Sequence, residues 1–186
     1  MASFYSTVYM SSENVPPGFT GDIASCQPGA ISSAYQNAGL TRILYYRAMA
    51  GLTADVVLSP AWNAQCQAAA LMMTANQKLS HTPPATWTCY TASGAEAASK
   101  SNLAAGFQSL YQAVDGLVAD GGLVTVGHRR WFLYPPEQTM AVGATPGVPY
   151  PAYVYWVIGG TGPRPPAPEW VGWPGPGYFP DRKSVV

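Results

Sequence analysis

Charge is the first thing this chain lacks. Lys, Arg, Asp and Glu make up 10% of its 186 residues, against roughly 25% in typical soluble domains. The formal net charge is zero. No basic surface therefore argues for nucleic acid, and no acidic run argues for a solvating tail. Long apolar runs are also missing. The longest, such as Ala68–Met73, fall far short of the roughly 20 residues that a helical membrane span requires. Residues 1–10 have neither a basic start nor a sustained apolar stretch, so no signal peptide is visible. The expectation is either a mature chain or a start lying further upstream.

Cysteine is scarce. Cys26, Cys66 and Cys89 form no C-x-x-C pair, which excludes the usual zinc-knuckle and redox spacings. Three cysteines allow one disulfide plus a free thiol, with three possible pairings, or three reduced and mostly buried thiols. The chain holds no G-x-S-x-G and no H-E-x-x-H, so neither an activated serine nor a helical zinc-hydrolase site is marked. Histidine occurs twice, at His81 and His128.

What is abundant is Pro, Gly and aromatic residues, the last 12% of the chain. With the low charge, this composition points to an extracytoplasmic protein or a piece of a larger one. The length suits one domain with a full core, with room for an appendage. Residues 1–28 have no periodicity and read as an extended N-terminal arm. A helical pattern follows in Ile31, Ala34, Tyr35 and Ala38, resuming after a break at Gly39 and ending near Gly51. Ser59 as N-cap and Pro60 in the first turn open a second helix, expected to finish near Leu79. His81 then falls just past its C-terminus. Residues 82–100 form a long connection, of a kind usually functional or locally structured. Leu103, Phe107, Leu110, Val114 and Leu117 mark a third helix, stopped by Asp120-Gly121-Gly122.

Beyond that stop the period changes. Residues 123–126, 131–134, 140–144 and 153–158 read as strands separated by Pro/Gly turns, which favours antiparallel pairing. Gly127-His128-Arg129-Arg130-Trp131-Phe132-Leu133-Tyr134-Pro135 would place His128 at the mouth of a short, buried strand. Arg129 and Arg130 would then alternate between faces, one to solvent and one able to pin a carboxylate or phosphate. Three helices followed by a meander predict an α+β layer fold. Residues 159–180, rich in Pro, Gly and aromatics, read as the start of a truncated C-terminal segment whose aromatics need cover. Residues 181–186 match the translation of a common sequencing adapter and read as an artefact. Deleting them is expected to change stability by no more than about 0.5 kcal/mol, as thermal melts would show.

The order of motifs resembles one family. Tyr46-Arg47-Ala48-Met49-Ala50-Gly51-Leu52 is similar to the first-helix ending of the CAP superfamily, also called SCP, which groups cysteine-rich secretory, antigen 5 and pathogenesis-related 1 proteins. Ala64-Gln65, Ala68-Ala69 and Leu79-Ser80-His81 resemble its second helix and first cavity histidine. Ser101-Asn102-Leu103-Ala104 stands where the family has Gly-Glu-Asn, and Gly127-His128 begins its signature strand. The likeness spans residues 29–158 and is nearest to the divergent bacterial-type branch. It implies a three-layer α-β-α sandwich around a central, mainly antiparallel sheet, a secreted or extracytoplasmic location and a cavity holding His81 and His128. The departures are Arg129-Arg130-Trp131 in place of an aromatic–small–Gln run, and Ser101 at the cavity glutamate position. Glu96 is the nearest substitute for that glutamate, and Asp115 the stand-in for a second one.

The candidate cavity residues are thus His81, His128, Glu96, Ser101, Asn102 and Asp115, with His81 and His128 as candidate metal ligands. Two imidazoles and a carboxylate suit zinc or another borderline divalent ion, held weakly because good ligands number fewer than four. No cofactor is required. The expected function is non-catalytic binding of a small-molecule, lipid or protein ligand in this groove. A metal-dependent hydrolase and a structural module of a larger surface protein are the other readings.

Overall fold

The computed structural model describes residues 2–122 and 124–175. The chain opens on a short helix, α1 (Ala2–Phe4), which runs into a π turn (Tyr5–Tyr9) and a 3₁₀ turn (Met10–Ser12). The expected extended arm is therefore coiled over its first third. The reason is aromatic burial: Tyr5 and Tyr9, one turn apart, stack at 4.8 Å, and Tyr9 meets Tyr45 edge to face at 5.0 Å. The stretch from Glu13 to Ser32 carries no helix. Cys26 and Cys89 form a disulfide, and Cys66 stays a buried thiol.

Helix α2 spans Ser33–Met49, with the Ser32 hydroxyl accepting from the Tyr35 N–H at 3.1 Å. It runs straight through Gly39, where a break was expected. Gly39 serves packing instead: a Cβ there would lie 2.3 Å from Leu110 Cδ2. After the two-residue strand β1 (Val57–Leu58) comes α3 (Pro60–Asn76), capped by the Ser59 hydroxyl and led by Pro60, as the sequence indicated. It stops at Gln77, which takes φ +50°, short of the expected finish near Leu79. Helix α4 (Ala92–Ser99) structures the long connection.

Strand β2 (Ser101–Ala105) replaces the expected start of the third helix. Leu103 faces one side of the sheet and Ala104 the other, which is strand alternation. Helix α5 (Leu110–Ala119) begins only where the Ser109 hydroxyl caps the Gln112 N–H at 3.2 Å. A further correction follows it. Residues 127–134 are not a strand: Gly127–Phe132 is a short helix, α6, and residues 124–126 form no strand before it. Its apolar residues do not alternate, since Phe132 and Leu133 are both buried while Trp131 and Tyr134 are exposed. Strands β3 (Thr139–Ala144) and β4 (Ala152–Trp156) then complete the sheet close to their expected positions.

The sheet order is β1-β3-β4-β2, with β1 parallel to β3 and the other pairs antiparallel. Tyr153 and Tyr155 pack with α2 and α5 residues on one face, Val154 and Trp156 with α3 and α4 residues on the other. The architecture is α+β, a sheet between two helical layers. Residues 159–175 return over the first face, where Trp173 packs edge to face on Tyr46 at 5.3 Å, while Trp170 stays 73% exposed. The adapter-like tail and residues 176–180 lie outside the described residues.

Strand β1 is too short to pair all of β3. Beyond it, α3 takes over: Asn63 Oδ1 accepts from the Val142 N–H, and the Gln67 amide both accepts from the Ala144 N–H and donates to the Ala144 carbonyl. One helical turn between Asn63 and Gln67 matches two residues of strand. The close approach needs Gly143, where a Cβ would sit 2.3 Å from the Cys66 carbonyl carbon and the Gln67 nitrogen. Backbone cannot give way as a flexible side chain can, so Gly143→Ala is expected to cost about 2 kcal/mol or more. An unchanged denaturant midpoint in this variant would contradict the packing described.

Candidate functional site

Two layers meet at one end of the sheet, and each delivers a histidine there. His81 follows α3 and places Nδ1 2.9 Å from the carbonyl oxygen of Ala98, near the C-terminal end of α4. A carbonyl only accepts, so Nδ1 carries the proton. The bond also satisfies one of the carbonyls that a helix end leaves open. His128, the second residue of α6, places Nδ1 2.8 Å from Asp120 Oδ1. Asp120 is buried, sits at the end of α5 with φ +50°, and accepts from the Arg129 N–H through Oδ2. In both rings the protein holds Nδ1, which leaves Nε2 for whatever occupies the space in front.

That space is a cavity of about 340 Å³ whose walls include His81, Ser101, Asn102, Thr125, His128 and Trp131. Asn102 donates its side-chain N–H to the His128 carbonyl at 2.9 Å, which ties β2 to α6. Ser101 Oγ is buried and makes no hydrogen bond of normal geometry among the described residues; its polar neighbour is the Cys66 thiol. Burial pushes that thiol up to about 12, so Cys66 is no nucleophile at neutral pH.

The other two expected cavity residues are elsewhere. Glu96 is half-exposed on α4, where it pairs with Lys100 at 2.8 Å and accepts from Gln65. The hydrogen bond from Lys100 holds its carboxyl below the usual carboxylate range. Asp115 faces α2 and the N-terminal turns: Arg42 donates to both its oxygens at 2.9 and 2.8 Å, Tyr46 donates at 2.8 Å and Tyr9 at 3.0 Å. Arg42 is itself buried and also reaches Glu13 at 3.1 Å. Both carboxylates are thus engaged by cations away from the histidines. The carboxylate that does serve the cavity is Asp120, which the sequence presented only as a helix stop. Its distance of eight residues from His128, across a Gly-Gly turn, was the available signal. Among the described residues no group of three or more His, Cys, Asp and Glu side chains is placed to hold a metal ion.

The arginines of α6 have separate fates. Arg129 donates to the Val118 carbonyl at 3.2 Å and braces α5 against α6, whereas Arg130 is exposed. The turn after α6 is held from below by Arg47 of α2, buried completely, whose guanidinium donates to the carbonyls of Thr53, Phe132, Tyr134, Pro135 and Glu137.

Layers of helix on both faces of a small sheet, with a pair of Nδ1-anchored histidines lining a cavity at the sheet's end, define an α-β-α domain. A model of the cysteine-rich secretory protein family (CAP) matches residues 40–158, more than half of the chain, and the chain belongs to that family. No curated protein and no solved structure matches it.

One perturbed carboxylate stands apart from the cavity. Glu137 is buried, accepts from the Gly160 N–H through Oε1 at 3.1 Å, and has no partner for Oε2 among the described residues. Burial pushes its carboxyl from an ordinary 4.5 up to about 7, the nearby Arg47 opposing. Below about pH 4.5 folded and unfolded chains both keep this proton; between there and about pH 7 only the folded chain does. The stability that protonated Glu137 contributes is therefore full below pH 4.5 and lost as pH rises through 7. Glu137→Gln should match the native chain at pH 4 and exceed it at pH 8 by about 3 kcal/mol, on the scale of 1.36 kcal/mol per pKa unit. Chemical denaturation at the two pH values checks this, and equal gains at both would refute the assignment.

Proposed function

We propose that this CAP domain is an extracytoplasmic, non-catalytic binding module that holds a ligand in the His81–His128 cavity. The observation that carries the reading is the shared anchoring of the two rings through Nδ1 at one cavity that Ser101 and Asn102 also line. Such a set suits a ligand with hydrogen-bonding groups. The His128–Asp120 pair resembles a base and its orienting carboxylate, but no activated nucleophile stands with it, since Ser101 lies against the Cys66 thiol. The disulfide supports an oxidising compartment outside the cytoplasm.

Metal binding is a second reading, favoured by the same anchoring, because a histidine ligand commonly donates its other N–H to a carbonyl or carboxylate. His81 and His128 would be the protein ligands, with water completing the shell, and no carboxylate from Glu96 or Asp115 joins them. Affinity for zinc would be weak, and it would fall on acidification as protons compete for Nε2. Calorimetry should give a small heat with zinc that disappears in His81→Ala and in His128→Ala and persists in Glu96→Ala. Identical heats in all four proteins would remove the cavity as a metal site. Zinc-dependent cleavage of p-nitrophenyl acetate or casein, lost in the two histidine variants, would overturn the non-catalytic reading.

A further inference from the structure

The histidine cavity does not end at His128. It shares Gly127 and Trp131 with a second hollow of about 340 Å³, which Arg130 and Tyr134 also line. That hollow shares Arg130 and Tyr134 with a third, of about 360 Å³, bounded on its far side by Val171 and Trp173. The three hollows, each sharing lining residues with the next, are taken together as a trough along α6. Each part lies in the range of about 300–1,000 Å³ typical of ligand pockets. At 1.5 Å per residue, the run from Gly127 to Tyr134 covers about 10 Å, long enough for an oligomer rather than one small molecule.

The lining changes character along its length. At the cavity end it offers imidazole, amide and hydroxyl groups. In the middle it is aromatic: Trp131 and Tyr134, 39% and 40% exposed, meet edge to face at 5.9 Å. Beside them stands the Arg130 guanidinium, with no hydrogen-bond or ion-pair partner among the described residues. No Asp or Glu occurs between Gly121 and Pro136. The carboxylates on either side are buried and engaged, Asp120 with His128 and the Arg129 N–H, Glu137 with the Gly160 N–H. The trough therefore carries a guanidinium that forms no ion pair among the described residues.

We propose that this trough binds an extended acidic saccharide, a short chain of uronate-type units. The inference rests on the ligand-binding reading of the cavity and names its ligand class. Pyranose rings present flat C–H faces that match exposed aromatic rings, while their edges carry hydroxyls that need donors and acceptors such as those of the histidine end. A ring carboxylate supplies the planar anion that a guanidinium fork recognises best. An acidic peptide fits less well, because the trough offers rings and side-chain donors rather than the unpaired strand edge on which extended peptides dock. A lipid surface fits less well, because Trp131 and Tyr134 wall hollows instead of forming a convex patch.

Calorimetry with trigalacturonate, cellotriose and triglutamate tests the proposal on the full chain. Trigalacturonate is expected to bind and cellotriose to bind at least about tenfold more weakly, one charge-assisted pair being worth that factor. Arg130→Gln and Trp131→Ala should each weaken trigalacturonate binding by about tenfold or more. Both side chains are exposed, so unchanged melting temperatures will show that the variants fold. No binding of trigalacturonate, equal binding of the two saccharides, stronger binding of triglutamate, or native affinity in both variants would each overturn the proposal. Binding that is lost in Arg130→Gln yet undiminished in His81→Ala and His128→Ala would uphold the trough and refute the cavity reading. Loss in the histidine variants with native affinity in Arg130→Gln and Trp131→Ala would do the reverse.

Discussion

A single buried guanidinium sets the shape of the functional end of this domain. Arg47 leaves α2 inside the core and gathers carbonyls from Thr53 and from four residues between Phe132 and Glu137. A buried cation is costly unless its donors are all used, and burial does pull the Arg47 pKa down. The chain meets that demand by coiling after Val126 and turning at Pro135. The carbonyls that an extended strand would give to a neighbour point instead at one side chain. Helix α6 is the result, and with it the positions of His128, Arg130, Trp131 and Tyr134.

That dependence explains which parts of the structure were legible in the sequence. Ser59-Pro60 announced α3 because capping is local, decided within one turn. Residues 140–144 and 153–158 read as strands from their short apolar runs between Pro/Gly turns, and the strands form there within two residues at each end. The run from Gly127 to Pro135 misled for the same reason that it was noticed: apolar and aromatic residues bounded by Gly and Pro are strand-like. The group that overrides them is 85 residues away in the chain. Leu103 fitted a helical stripe with Phe107 and Leu110, but the ladder to β4, pairing Leu103 with Val154, outweighs that periodicity. A family resemblance supplied the histidine pair and the layered fold, and the family assignment stands.

The cavity carboxylates show a different limit. Glu96 and Asp115 were chosen by their chain positions relative to family motifs, whereas charge pairing decides where a carboxylate side chain ends up. Lys100, four residues from Glu96, draws it to the surface, and Arg42 with Tyr46 and Tyr9 draws Asp115 toward α2 and the N-terminal turns, leaving Asp120 as the carboxylate on His128. Asp120 needs no cation of its own. It answers a ring N–H and a backbone N–H, both from α6, at the point where α5 must stop. A residue read as punctuation thus also orients the ring that faces the cavity.

The pairing of α3 with β3 has a consequence for how the molecule behaves among its own copies. A strand left half-covered by a two-residue neighbour is an invitation to another chain, because its unpaired N–H and C=O groups form a ready template for growth into a larger sheet. Asn63 and Gln67 occupy those groups with side-chain amides at the spacing that an incoming strand would use. They act as a stopper, and a stopper that lies on a helix cannot itself be extended. Beside β3 the sheet is thereby covered without a fifth strand, and a low-charge chain, poor in the repulsion that keeps molecules apart, is spared an open edge there.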